Sequence, residues 1–490
     1  MTPREKSSAS PRASLAPLLV VAPVAAALLI YSQLGAFAWD EGFHILAAQL
    51  IAAGKTPYTD FVFPQAPLNA FLTALAMKVF GETWRLTHAI EALASATAVF
   101  LVAGYTFRRV PDSRWRLPAA AAAALLAGLN VSVFEYGTVG QSYGVCLFLT
   151  MLAFRLAVRR SETPGPTRLG TAALSGLAAG AGAASSLLTA PLLLVLAAWF
   201  LLRKNVRALA AFLAAAILPF LPMLWLLIES PRRAWFNIAG FQLLYRRIEW
   251  SNWLTHDVGV DSAWASCPQA LLLIGFAIAG LLLIRHSTYS AQLKAELYLA
   301  ASMSAAETLY LLNIHPGFTR YYLLAVPFTA ILSGFGLALI AQRVSNNTFP
   351  SAIRTWWPVA AIALVMSISL TRYVIDDRDD YSWQDFEAIG RRIDQVTPSG
   401  APIYADEQAY FTARRLPPEG MSFNYSHKVE LPPAEAATLG IVSRSELDKR
   451  IRAHAFATLE TCDGDDEIKR LELKKIYRQR ADIGNCSVFW

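Results

Sequence analysis

Long apolar runs separated by short charged connections dominate the chain from residue 15 to residue 373. The first, Leu15 to Phe37, carries no charge and is long enough to cross a hydrocarbon core of roughly 30 Å. Ten more follow at 86–107, 117–134, 140–158, 169–184, 189–202, 206–228, 267–285, 295–313, 320–341 and 355–373. This pattern predicts a mainly α, polytopic integral membrane protein of about 11 transmembrane helices. The pair within 169–202 is short, so it supplies either two spans or one re-entrant hairpin turning at Ser185 and Ser186.

Three polar stretches interrupt the pattern: a loop at 38–85, a second at 229–266, and the tail from Val374. In the first loop Phe43, Leu46, Ala47, Leu50 and Ile51 recur at helical spacing, which predicts a helix lying on the membrane. A second apolar helix should open at Pro67 and display Leu68, Phe71, Leu72, Leu75 and Val79. The tail mixes β-like runs at Ala401–Ala405, Thr438–Val442, Ala455–Leu459 and Ser487–Trp490 with charged helical stretches such as Glu467–Gln479. A membrane module over 1–373 and a small α/β domain over 374–490 are therefore expected.

Composition agrees, with 55% hydrophobic and only 16% charged residues among 490. Lys and Arg gather on cytoplasmic connections, and here they mark alternate ones. Arg4, Lys6 and Arg12 precede the first run, and Arg108, Arg109, Arg114 and Arg116 follow the second. Later clusters lie around Arg159, Arg203, Arg285 and Arg343. The amino terminus is thus expected inside and the terminal domain outside, in a bacterial inner (plasma) membrane. A net charge of +7 then reflects topology and membrane lipids, with no nucleic-acid partner implied. All three polar stretches fall on the extracytoplasmic side, where the chemistry is expected. Cys146 and Cys267 should pack in or beside spans, whereas Cys462 and Cys486 fall in the outward tail and are expected to form a disulfide.

Asp40 and Glu41 stand at the outer end of the first run, followed by His44, Lys55, Asp60 and the turn Pro64-Gln65-Ala66-Pro67-Leu68. In isolation such a pair caps a helix. The combination resembles the first outer loop of GT-C glycosyltransferases, especially the protein O-mannosyltransferase and aminoarabinose transferase group, with Ala66 replacing the first proline of a Pro-Pro-Leu-type turn. The resemblance implies sugar transfer from a polyprenyl-phosphate donor to a lipid, glycan or protein acceptor, with the first acidic residue as base.

The chemistry points the same way. An acceptor hydroxyl attacking an anomeric carbon needs a carboxylate, and the departing phosphate needs cationic donors. Asp40 is expected as the base and Glu41 as a neighbour that raises its pKa or orients the acceptor, in one inverting displacement. Donor-binding candidates are Lys55, Arg246, Arg247, His315 and Arg320 with Tyr321 and Tyr322. Arg232 and Arg233 read as headgroup contacts, and Trp235, Trp250, Trp253 and Trp264 as interface anchors. His88, Glu91 and Glu307 lie within spans and stay outside the catalytic set. No cofactor is required; His44, four residues after Asp40, is the one addition that could help hold a divalent metal, and two ligands do not define a site. The alternative function is a transporter or flippase of a lipid-linked saccharide, and a third is an assembly scaffold displaying its tail.

Overall fold

A computed structural model describes residues 11–159, 169–249, 252–344, 351–376 and 380–490. All eleven apolar runs are helical. Six segments are long and apolar enough to cross a membrane: Ala16–Leu34, Trp84–Arg109, Val206–Glu229, Pro268–Arg285, Thr319–Arg343 and Thr355–Asp376. The rest are shorter or carry more charge. Ala190–Leu202, with 13 residues, extends only about 20 Å at the α-helical rise. The 169–202 stretch is two helices, Leu169–Ser185 and Ala190–Leu202, broken at Ser186 and joined through a 3-10 turn.

Small residues set how closely these helices approach. A Cβ on Gly176 would lie 2.0 Å from the Phe212 carbonyl oxygen, and one on Gly180 would lie 2.2 Å from that of Ala216. Backbone thus packs on backbone, the arrangement that apolar helices adopt when burying side chains gains little. Gly336 meets the Phe276 carbonyl in the same way, seating the deeply buried Thr319–Arg343 helix against Pro268–Arg285.

The helix Glu41–Ala52 does not lie on a surface. Its Phe43, Leu46, Ala47 and Leu50 are buried in a core shared with Trp383, Phe386, Phe411 and Phe423 of the tail. Its two flanks are taken by the helices Leu68–Phe80 and Glu407–Thr412. An apolar stripe serves protein as well as lipid, and here the tail covers it. Leu68–Phe80 behaves as expected, with Pro67 before its first turn and Leu72, Leu75 and Val79 exposed.

The tail holds a sheet ordered β1-β2-β4-β3. β1 (Ile403–Tyr404) runs parallel to β2 (Thr458–Thr461), and β4 (Cys486–Phe489) runs antiparallel to both β2 and β3 (Arg480–Ile483). Thr461 faces Ser487 across β2 and β4, and a disulfide joins the flanking Cys462 and Cys486. Thr438–Val442 is not a strand: it ends the helix Pro433–Leu439, which Gly440 closes at φ 69°. The predicted helix 467–479 is split into Gly464–Arg470 and Leu473–Ile476 before the chain enters β3.

Glu407, in the helix that covers Glu41–Ala52, is 3% exposed and accepts the Asn424 N–H at 2.7 Å. Burial first, with the charge of Asp40 adding to it, pushes its carboxyl up to about 7.

Replacing Gly180 by Ala should lower the thermal midpoint of the detergent-solubilised protein, an overpacking cost of about 1–3 kcal/mol. Gly170→Ala, where nothing lies within 4 Å, should leave it unchanged. Equal midpoints for the two variants would show that the two helices are not in backbone contact. For Glu407, the unfolded chain loses its proton near 4.5 and the folded chain near 7. Its contribution is therefore fully present below pH 4.5 and lost as pH rises toward 7, in total about 3 kcal/mol. The thermal midpoint should fall between pH 5 and pH 8, and Glu407→Gln should flatten that fall.

Candidate active site

Asp40 occupies the N-cap position of Glu41–Ala52 with backbone φ −67° and ψ −11°, and its side chain makes no capping bond. The carboxylate is thereby released for another partner, the Arg320 guanidinium, whose Nη2 donates to Oδ2 at 2.5 Å. Glu41 points into the protein and has no exposed surface. Its Oε1 accepts from the Ala38 N–H at 3.1 Å and from Trp383 Nε1 at 2.7 Å. Its Oε2 accepts from the Gly140 N–H at 2.9 Å and lies 2.6 Å from His88 Nε2. His88 reaches the Ser32 carbonyl through Nδ1 at 2.6 Å. The expectation that Glu41 orients an acceptor is therefore corrected: an enclosed carboxylate cannot touch one, and it holds the turn that presents Asp40.

Arg320 opens the 3-10 turn Thr319–Ala325. Its guanidinium carbon lies 4.3 Å from the Phe318 ring centroid, 5.7 Å from that of Tyr321 and 5.8 Å from that of Tyr136. Its Nε is buried with no hydrogen-bond partner. Next to it the chain leaves a cavity of about 240 Å³ lined by His44, Gln141, Ser142, Tyr143, Ser186 and Tyr321 among others. Gln141 Nε2 also lacks a partner. Burial, and then the Arg320 cation, hold His44 down to about 3, so its imidazole is neutral near pH 7.

Other expected residues go elsewhere. The Tyr322 hydroxyl donates to Asp261, and its ring stacks on Trp264 at 4.1 Å. His315 Nδ1 lies 2.9 Å from Asp257, which also accepts the Gly317 N–H at 2.8 Å. Burial raises the Asp257 carboxyl, but Gly317 and both neighbouring histidines outweigh it and hold it below the usual range, so Asp257 fastens the 315–317 loop. Lys55 is exposed beside a separate depression of about 350 Å³ with Asp60, Arg233 and Leu416. Asp60 accepts the Thr56 N–H at 2.7 Å and closes a turn. Arg233 is no headgroup contact: it donates to the carbonyls of Thr59 and Thr438 and ties the first loop to the tail. The side chains of Arg246 and Arg247 lie outside the described residues.

Glu91 accepts the N–H groups of Ser142 and Val145 at the start of Tyr143–Ala157. Glu307 is buried with neither oxygen partnered. Among the described residues, one group of potential metal ligands comes close enough for an ion, Glu460 with Cys462 and Cys486, and the disulfide occupies both sulfurs. Sequence reasoning missed the turn 137–143, which supplies Gly140 to Glu41 and Gln141, Ser142 and Tyr143 to the cavity. The available signal was a polar, Gly-containing break between two apolar runs on the side that the charge alternation assigns to the first loop.

No family model and no curated protein matches the sequence. Among solved structures, the crystal structure of ArnT from Cupriavidus metallidurans bound to undecaprenyl phosphate matches at TM-score 0.68 and 14% identity, covering 96% of this chain and 97% of that one. ArnT in the apo state matches at 0.65, with the same identity and coverage. The archaeal oligosaccharyltransferase AglB from Archaeoglobus fulgidus, in complex with an inhibitory peptide and a dolichol-phosphate, matches at 0.49 and 12% identity over 92% of this chain and 70% of that one. Over 96% of its length the chain shares the fold of the ArnT structures.

Proposed function

We propose that this protein is an inverting glycosyltransferase that moves a sugar from a polyprenyl-phosphate donor to an acceptor on the extracytoplasmic face of a bacterial inner membrane. Residues 1–373 would form the membrane-spanning catalytic module and 374–490 the extracytoplasmic domain. The observation that carries the reading is the contact of Asp40 with Arg320 beside a cavity, in a fold shared with a protein that binds undecaprenyl phosphate.

The roles follow from charge. Asp40 takes the proton of the attacking hydroxyl, and Arg320 holds the phosphate as it gains charge on leaving. The unpartnered Nε gives Arg320 a second donor for a phosphate oxygen while Nη2 faces Asp40. In a single displacement the attacking and leaving oxygens stand on opposite faces of the anomeric carbon, so a bound sugar has to part the Asp40–Arg320 pair. Neutral His44 adds no competing charge. The transporter reading has the many spans and the buried acids Glu91 and Glu307 for it; Glu91 is committed to backbone N–H groups, which leaves Glu307 as its unpartnered acid.

Asp40→Asn should abolish transfer from a cognate donor while membrane expression persists, since the amide keeps the volume and cannot take the proton. Wild-type turnover in purified Asp40→Asn would remove Asp40 from the mechanism. Arg320→Ala should lower donor kcat/KM at least about tenfold, equivalent to about 1.4 kcal/mol of transition-state stabilisation, and Arg320→Lys should recover only part because it lacks the planar fork. Unchanged donor kcat/KM in Arg320→Ala would reduce Arg320 to an interface anchor.

A further inference from the structure

A second cavity, of about 310 Å³, lies where the first loop meets the tail, with Trp39 on one wall and Tyr404, Asp406, Asn424, His427 and Glu460 among the residues facing it. Three cations stand at its edge: Arg444 pairs with Glu467 at 3.2 Å, Arg470 pairs with both Glu467 and Asp448, and the Lys428 ammonium lies 4.8 Å from the Tyr425 ring centroid. Deeper in, several polar atoms lack partners. Glu460, 1% exposed, takes the Asp406 N–H on Oε2 at 2.8 Å. Its Oε1 faces Cys462, whose disulfide sulfur has no proton to give. Asn424 Nδ2 serves Asp406, and its own Oδ1 has no partner. His427, 5% exposed, gives its Nδ1 proton to the Val442 carbonyl at 2.6 Å, which leaves Nε2 as a lone-pair acceptor without a partner.

Buried acceptors without donors are costly, and a ligand rich in donors would relieve them. One ion does not suffice, because among the described residues the only trio of ligand atoms within 4.8 Å of one another is Glu460 with the two disulfide sulfurs. The acceptors are spread around a space the size of a small organic ligand, next to the half-buried rings of Trp39, Tyr404 and Tyr425. A pyranose matches this lining, with hydroxyl or ammonium donors around its edge and C–H bonds on its faces for the rings.

We propose that this cavity binds a neutral or amino-substituted sugar residue of a glycan acceptor. The proposal rests on the glycosyltransferase reading for the word acceptor alone; sugar binding itself does not depend on transfer. Trp39 precedes Asp40 in the chain, which puts one wall of the cavity a single residue from the one assigned to take the acceptor proton.

The test is equilibrium binding to the full-length protein in detergent, using methyl glycosides of neutral and amino hexoses and tryptophan fluorescence as the readout. Neutral or amino glycosides should bind saturably. Glu460→Gln and His427→Leu should each weaken binding by about tenfold, because each changes a polar group that the sugar meets. Thermal midpoints of the unliganded variants identify any loss that is only misfolding, and whichever variant keeps the wild-type midpoint decides. Asp40→Asn should retain sugar binding even though it loses transfer, which separates failure of this site from failure of the catalytic reading. Silence from every neutral and amino glycoside, affinity unchanged in both variants, or a saturable response to calcium chloride alone with the sugars inert would each overturn the proposal.

Discussion

A carboxylate removed from water must find its hydrogen bonds inside the protein, and Glu41 finds them in four separate stretches of chain. Leaving such a group unpaired costs several kcal/mol, so the four donors have to arrive together. They come from the start of the first loop, the helix Trp84–Arg109, the turn at Gly140 and Trp383 of the tail. His88 faces acceptors on both sides, the Ser32 carbonyl and the carboxylate, and so links the first two long helices through one ring. The next residue back along the chain is Asp40, whose placement against Arg320 is inherited from this anchored turn.

Arg320 shows how the fold accommodates a cation at the end of an otherwise apolar helix. Phe318, Tyr321 and Tyr136 surround the guanidinium, and Asp40 neutralises it. Aromatic faces accept such a charge at little cost in dehydration. The two sides of the bundle differ in kind as a result. The side bearing the first loop holds cavities with buried polar groups, while Arg108, Arg109 and Arg116 line a depression formed by the connections at the opposite end.

Much of this was legible in the residues. Uninterrupted apolar runs gave the helices of the bundle, because helix formation in an apolar stretch is a local property, whereas Trp253–Ser266 and Trp383–Val396 were not foreseen. Arg320 could be singled out because its charge opposed the alternation of the loops, and Asp40 because of what followed it. Glu41 could not be read: its role depends on an indole 342 positions away, and no spacing rule reports that distance. The stripe Phe43–Ile51 was equally ambiguous, since lipid and the tail select the same side chains. In the tail, β3 was missed because Arg480-Ala481-Asp482-Ile483 is an edge strand that buries little, while Thr438–Val442 looked like a strand because loop residues Ile441 and Val442 are buried there. His315 and Tyr322 were chosen for their nearness to Arg320 in sequence, yet successive side chains on a tight turn point in different directions.

The bond from Trp383 to Glu41 also bears on how the molecule is made. Synthesis proceeds from the amino terminus, so the first loop and most membrane helices exist before residue 383 has been joined to the chain. During that interval Glu41 lacks its indole donor and Phe43, Leu46 and Leu50 lack the tail residues that cover them. The nascent protein thus passes through a stage in which its most critical turn is assembled only in part, and a chain that stops short at residue 373 never leaves it. The buried turn around Glu41 is therefore complete only once the tail has been made.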